Sequence, residues 1–348
     1  MKILYVGELG AGTSCLYRKL ALERLGHQVV GFDPAPYRLE NRLLRPIAFR
    51  LAISPHAYRF NHDILAMAES EKPDIFWADK QLLLTPRTLD RLRALGITSV
   101  SYMIDNAFGP RRDPGWRMYT KCIPYFDLHV TQRDVSLGHY RERGARDVMK
   151  IQTAYEPTIH FPPPEPLSDE DRIREVSFIG TPYDDRGEIL KELSKAGLPV
   201  IVSGSPTHWN RALGEEVYAK IFRFGELYER DYRETIWRSK INLSFLTKAN
   251  QDEYTHKSFE IAACGGFLLA ERSPGHEAKF VEGVEAAFFT GTADLITKIQ
   301  QYLPDEAART HIAAAGRERA VRDGYGNDTQ VGLIVERLKA IRGGQTRS

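Results

Sequence analysis

The sequence predicts an α/β protein built from two Rossmann-like, doubly wound domains facing across a cleft, and three observations carry that prediction. Short runs rich in Val, Ile and Phe alternate with longer helical stretches, the pattern of βαβ units and parallel sheets. The alternation occurs twice, with a proline-rich break between the two passes. A length of 348 residues accommodates two domains of ~100 to 200 residues each.

In the first pass, strands are expected at Lys2–Val6, His27–Phe32, Asp74–Trp77, Thr98–Ile104, Asp127–Thr131 and Val148–Gln152. A helix fits Ser14–Leu25, capped by Ser14 and ended by Gly26. The break is His160–Pro166, whose four prolines remove amide donors and fix φ. In the second pass, strands are expected at Glu175–Ile179, Pro199–Val202, Ile221–Phe224, Ile241–Phe245, Gly266–Ala270 and Ala286–Phe289. The resulting division is a first domain over 1–158, a linker over 159–166 and a second domain over 167–327. A C-terminal helix with a polar tail, 328–348, would pack back on the first domain.

With 48 basic and 46 acidic residues the net charge is +2, which excludes a general electrostatic affinity for nucleic acid. No apolar run of about 18 residues is present, and the opening MKILYVGELG reads as strand and loop, so a cytoplasmic protein is expected. Cys15, Cys122 and Cys264 are too few and too scattered for disulfides or a zinc cluster and read as buried thiols. Between Tyr37 and Phe60, Arg38, Arg42, Arg45, Arg50 and Arg59 face only Glu40, a local charge of +4 among apolar residues. That segment, 38–59, reads either as a peripheral contact with an anionic membrane surface or as the solvated face of a helix.

Gly7–Ser14 follows a strand and opens a helix. Gly10, Gly12 and Thr13 could let a ligand approach the backbone and meet the positive end of the helix dipole. With Asp33 at the end of the second strand, a dinucleotide site of an NAD(P)-dependent oxidoreductase is one reading, although Cys15 stands where the third glycine or alanine belongs. A plain strand-to-helix turn is the other.

The stronger signal is Asp252–Ala270. It reads as a loop, a short helix over His256–Cys264, a stop at Gly265 and Gly266, and a strand. His256, Lys257 and Glu260 share one side of that helix. A carboxylate can accept both hydroxyls of a ribose, and a cation beside a helix amino terminus can hold a diphosphate without a metal. The competing reading is a solvated ion pair of Lys257 with Glu260 on a surface helix.

The stretch resembles the donor-binding signature of the GT-B glycosyltransferases, two acids separated by seven residues on the way into a helix, as Asp252 and Glu260 are. More closely, the segment from His256 to Leu269 resembles the CgeB-like glycosyltransferases of the spore maturation type, which usually have arginine where Lys257 stands. Val176–Arg186, Ser239–Phe245 and Tyr155–Pro162 extend the likeness.

The resemblance implies hexosyl transfer from a UDP- or GDP-linked sugar held in the second domain to an acceptor held by the first, with no metal or other cofactor. Carried over by position, Glu260 would hold the ribose, and Lys257 and Arg186 the diphosphate. The amides near Thr255 and His256 would meet phosphate or sugar oxygens, and Asp252 the sugar. Ser203 and Gly204 lie in a loop able to touch the base. Gly10, Gly12 and Thr13 would form an acceptor-side loop.

Asp184–Asp185 lacks the DxD spacing of metal-dependent transferases and reads as a turn. An inverting enzyme needs a base, for which Asp105 at a strand end and His129 are the candidates, each with a structural alternative as turn or core residue. Arg111, Arg112 and Arg117 could bind an anionic acceptor or merely stay hydrated. Trp77, Trp116 and Tyr119 could stack on sugars or fill the core. A non-catalytic nucleotide-sugar binding protein and an epimerase are the remaining alternatives. The acceptor, a glycan, a lipid-linked molecule or a small molecule, is not legible.

Overall fold

A computed structural model describes residues 1–37, 54–110 and 115–345. Contacts divide the chain into two units, one of residues 1–152 with 327–348 and the other of residues 153–326. The basic residues Arg38 to Arg50, and Arg111 and Arg112, lie outside the described residues.

The first unit contains strands β1 (Lys2–Val6), β2 (Gln28–Phe32), β3 (Ile75–Asp79), β4 (Thr98–Tyr102), β5 (Leu128–Thr131) and β6 (Val148–Lys150). They form a parallel sheet in the order β2-β1-β3-β4-β5-β6. Its described helices are α1 (Ser14–Arg24), α2 (Pro55–Glu71), α3 (Pro86–Ala94), α4 (Trp116–Cys122) and α5 (Asp134–Glu142). β3 and β4 are buried at every position, the polar Asp79, Thr98, Ser99 and Ser101 included, as strands covered on both faces are.

The second unit contains β7 (Arg174–Ile179), β8 (Val200–Ser203), β9 (Phe222–Phe224), β10 (Ser239–Ser244), β11 (Leu268–Glu271) and β12 (Ala287–Phe289). Their order is β12-β11-β10-β7-β8-β9. The helices are α6 (Arg186–Lys195), α7 (Pro206–Leu213), α8 (Glu215–Ile221), α9 (Glu229–Trp237), α10 (His256–Ala263), α11 (Pro274–Lys279), α12 (Gly291–Tyr302) and α13 (Glu306–Arg322). Strand order reverses between β7 and β10, so the loops leaving those two strands diverge and open a crevice at their carboxyl ends.

All twelve expected strands are present, with ends displaced by at most two residues. Two expectations need correction. The cap of α1 is Thr13, whose hydroxyl accepts from the amide of Leu16, while Ser14 is already helical. The proline-rich stretch is not a free linker but belongs to the second unit. There the carbonyls of Ile159 and Phe161 accept from Arg233 and Trp237 on α9, at 2.8 Å each. Prolines lack amide donors but keep their neighbours' carbonyls available for such contacts.

The last helix, α14 (Asn327–Gln345), is part of the first unit and packs on α1. Val331, Ile334, Val335 and Leu338 enter the core around Ile3, Leu22 and Trp77. Arg24 pairs with Asp328, Arg337 with Asp147, and Arg342 with Asp74. No described helix is long and apolar enough to cross a membrane.

Candidate functional site

The crevice between β7 and β10 collects most of the expected donor-side residues. β7 ends at Ile179, and the next residue, Gly180, lies against the stem of Lys257. A Cβ at Gly180 would stand 3.1 Å from Lys257 Cε. On the neighbouring strand, β8 ends at Ser203, fully buried, whose carbonyl accepts from the Gly180 amide. Ser203 Oγ finds no partner among the described residues. Gly204 follows with φ of 150°, and a Cβ there would stand 2.2 Å from the Gly180 oxygen. Only glycine allows that approach.

The loop after β7 is fastened to the loop after β10. Arg186, 6% exposed, reaches the carbonyls of Thr181 and Leu246 at 3.0 Å, that of Phe245 at 3.3 Å and the Thr247 hydroxyl at 3.0 Å. Its guanidinium is held by dipoles rather than by a carboxylate, so its positive charge is not cancelled by contact. Asp184 Oδ2 accepts from the Lys248 amide, and Asp185 pairs with the Lys248 ammonium at 2.6 Å. The Asp184–Asp185 pair is thus a brace between loops. Asp252 follows the short turn Lys248–Asn250, its amide bonded to Thr247 O and its carboxylate accepting from Asn250 at 3.3 Å.

α10 begins after Thr255, whose hydroxyl does not cap the helix. Phe259, Ile261, Ala262 and Ala263 are buried, which turns His256, Lys257 and Glu260 to the half-buried side. The ion pair of the competing reading does not form. Among the described residues nothing hydrogen-bonds or pairs with Lys257 Nζ, which lies 5.9 Å from the centre of the Tyr232 ring. Burial pulls the Lys257 pKa below the ordinary lysine value, with Glu260 raising it and Arg186 lowering it further.

Glu260 is held from elsewhere. Tyr232 on α9 donates to its Oε2 at 2.6 Å. The ring of His160 packs edge-on against Tyr232. Burial would raise the Glu260 pKa, but His160, Lys257, His256 and the Tyr232 hydrogen bond outweigh it and keep the carboxyl below the ordinary glutamate value. An ionised carboxylate has about four acceptor positions, so one bond from Tyr232 leaves room for a pair of ligand hydroxyls.

In the first unit, Thr13 donates to Glu8 O and Gly10 O while accepting from Leu16 N, and Gly12 takes φ of 78°. Asp33 accepts from the amides of Leu9 and Ala35, so its carboxylate closes the glycine-rich loop and its own turn. Beneath that loop Arg18 grips Asp79 through two nitrogens at 2.6 and 3.0 Å, and Tyr5 donates to the same carboxylate.

Asp105 lies three residues past β4, 13% exposed, and pairs at 2.6 Å with Lys80, which leaves β3 with φ of 53°. His129 is wholly buried on β5 between Phe126 and Tyr140, its Nε2 2.9 Å from Ile123 O, and burial pushes its pKa down to about 4. Trp77, Trp116, Tyr119 and the three cysteines are buried as well. No group of three or more His, Cys, Asp or Glu among the described residues could hold a metal ion.

Sequence reasoning missed Tyr232, Lys80, the Arg18–Asp79 pair and the buried groups behind α10. Each joins residues far apart in the chain, where no spacing gives them away.

Residues 186–331 match the family model described as glycosyl transferase-like. No curated protein matches the sequence. Solved structures resemble the whole chain, among them the following three. Anabaena HepE, in complex with UDP and glucose, aligns over 98% of this chain and 100% of its own, at 14% identity and a TM-score of 0.67. Sucrose-phosphate synthase from Thermosynechococcus elongatus aligns over 98% and 99%, at 15% identity and 0.71. A glycosyltransferase from Rickettsia africae aligns over 98% of both chains, at 13% identity and 0.68. The protein therefore has the two-unit α/β fold of the GT-B glycosyltransferases, and its segment 186–331 is similar to the glycosyl transferase-like family.

Proposed function

We propose that the protein is a CgeB-like glycosyltransferase that moves a hexosyl group from a nucleoside diphosphate sugar, without a metal or other cofactor, to an acceptor handled by the first unit. The observation that carries this reading is the half-buried ammonium of Lys257, which makes no ion pair or hydrogen bond among the described residues, one helical turn from the oriented carboxylate of Glu260. An unpaired cation in a crevice calls for an anion, and a diphosphate between a ribose and a sugar supplies one. HepE is also known in complex with UDP-glucose, which supports the same donor class here.

In this reading Glu260 accepts the ribose hydroxyls. Lys257 contacts the diphosphate, and Arg186 adds positive potential while keeping both loops in place. The backbone at His256 lies at the positive end of the α10 dipole. Ser203 and Gly204 border the base, and Asp252 meets the sugar. Breaking the bond from the sugar carbon to the diphosphate leaves negative charge on the leaving oxygen, which preorganised cations and amides stabilise.

The acceptor oxygen forms the new bond and loses its proton. Asp105, paired with Lys80, suits that role if the reaction inverts, whereas His129 is walled into the core. Gly10, Gly12 and Thr13 border the acceptor. Peripheral membrane contact through residues 38–59 remains part of the proposal.

Calorimetric titration with UDP and GDP tests the reading. The parent is expected to bind at least one, and Glu260→Ala to weaken it by about 10- to 100-fold, the loss of two hydrogen bonds to a charged acceptor. Failure of the parent to bind either nucleotide would sink the proposal. Release of sugar from the bound donor separates a transferase from a silent binding protein.

A further inference from the structure

Behind the amino terminus of α10, buried hydroxyls run in a line to a histidine. His276 on α11 is 0% exposed, with Nδ1 2.7 Å from the Glu271 carbonyl and Nε2 2.7 Å from Ser258 Oγ. A carbonyl oxygen only accepts, so Nδ1 carries the proton. Burial pushes the ring's pKa down to about 4, so at neutral pH Nε2 is an acceptor.

The direction then propagates. Ser258 has one hydroxyl proton and gives it to Nε2. Ser244, 3.0 Å away at the end of β10, must donate to Ser258, and Thr255, 3.1 Å further, must donate to Ser244. Both serines are fully buried, and Thr255 is half-buried at the rim of the crevice.

We infer that the ordered chain makes Thr255 an acceptor-only group on its open side, a specificity residue that takes a hydroxyl proton of the transferred sugar and discriminates against phosphate oxygens. The inference rests on the donor-site reading above. Along α10 the ribose partner Glu260 comes in the second turn and the diphosphate partner Lys257 in the first. Thr255 stands about 7.5 Å from Glu260 along the axis, at 1.5 Å per residue, where the sugar is next in line. His276 is a positioning residue that touches no ligand.

Two measurements test this. Nitrogen-15 NMR of the parent is expected to show His276 as the Nδ1–H tautomer, and the Nε2–H tautomer would overturn the proposal. Titrations compare UDP with whichever of UDP-glucose, UDP-galactose and UDP-N-acetylglucosamine the parent binds best. Thr255→Val should weaken the UDP-sugar by about tenfold and leave UDP within about twofold, while Thr255→Ser keeps both. Equal weakening of UDP and UDP-sugar would mark a phosphate contact and overturn the proposal, as would no change in either. If the parent binds no nucleotide at all, the donor-site reading itself falls, and the tautomer still decides the direction of the chain.

Discussion

Lys257 offers the most direct handle on the site at the scale of single residues. Its pKa is lowered by burial, so it loses its proton at lower pH than an ordinary lysine. Nucleotide affinity is expected to hold near neutrality and fall on the alkaline side, before the range where exposed lysines titrate. Lys257→Met should weaken binding by about tenfold or more and remove that alkaline fall. Titrations at a series of pH values check this, and a parent affinity that stays flat into the alkaline range contradicts it.

Lys257 and Glu260 were legible because one helix sets them three positions apart, so their shared face follows from the sequence alone. Tyr232 was not legible, since it reaches Glu260 from 28 positions away on another helix. Nor was the role of His276, which depends on β10, α10 and α11 meeting in space. Asp105 and His129 looked alike as polar residues in or after strands. Only burial separates them, because the strand position of His129 directs its ring inward.

Elements were read more accurately than their joints. Strands such as β1, β3 and β12 announce themselves as apolar runs, but the proline-rich stretch looked like a tether because its carbonyl contacts with α9 leave no trace in composition. Joints also decide how two glycines at the crevice differ. Gly204→Ala would place a methyl group 2.2 Å from a backbone oxygen at φ of 150°, and nothing rigid there can yield. A loss on the order of 3 kcal/mol or more is expected from denaturant unfolding.

At Gly180 the obstacles are the ends of side chains, Phe178 Cζ at 3.0 Å and Lys257 Cε at 3.1 Å. Gly180→Ala should therefore cost about 1 kcal/mol of stability but displace the ammonium and weaken nucleotide binding by a larger factor. Equal effects of the two substitutions on stability would contradict this account of the crevice.

Across the whole molecule, each unit carries a buried imidazole, His129 in one and His276 in the other, both pushed down to about 4 by burial. The unfolded chain takes up these protons below the ordinary value of 6.5, and the folded chain only near 4. The sign follows from linkage. This contribution to stability is complete above pH 6.5 and is lost as the pH falls towards 4, on the order of several kcal/mol for the pair. Unfolding free energies measured through that window should decline for both units, and a level profile would contradict the neutral buried state of the rings.

The duplicated architecture was readable because alternation is a global signal, repeated over twelve strands. How α14 completes the first unit rests on distant pairings that no local pattern encodes.

That return of α14 has a consequence for biogenesis. A ribosome delivers residues 153–326 before Val331, Ile334, Val335 and Leu338 emerge, so the half begun first is the half finished last. Until they emerge, α1 shows water the apolar patch awaiting those four side chains, and a nascent chain stalled short of α14 is a natural client for chaperones.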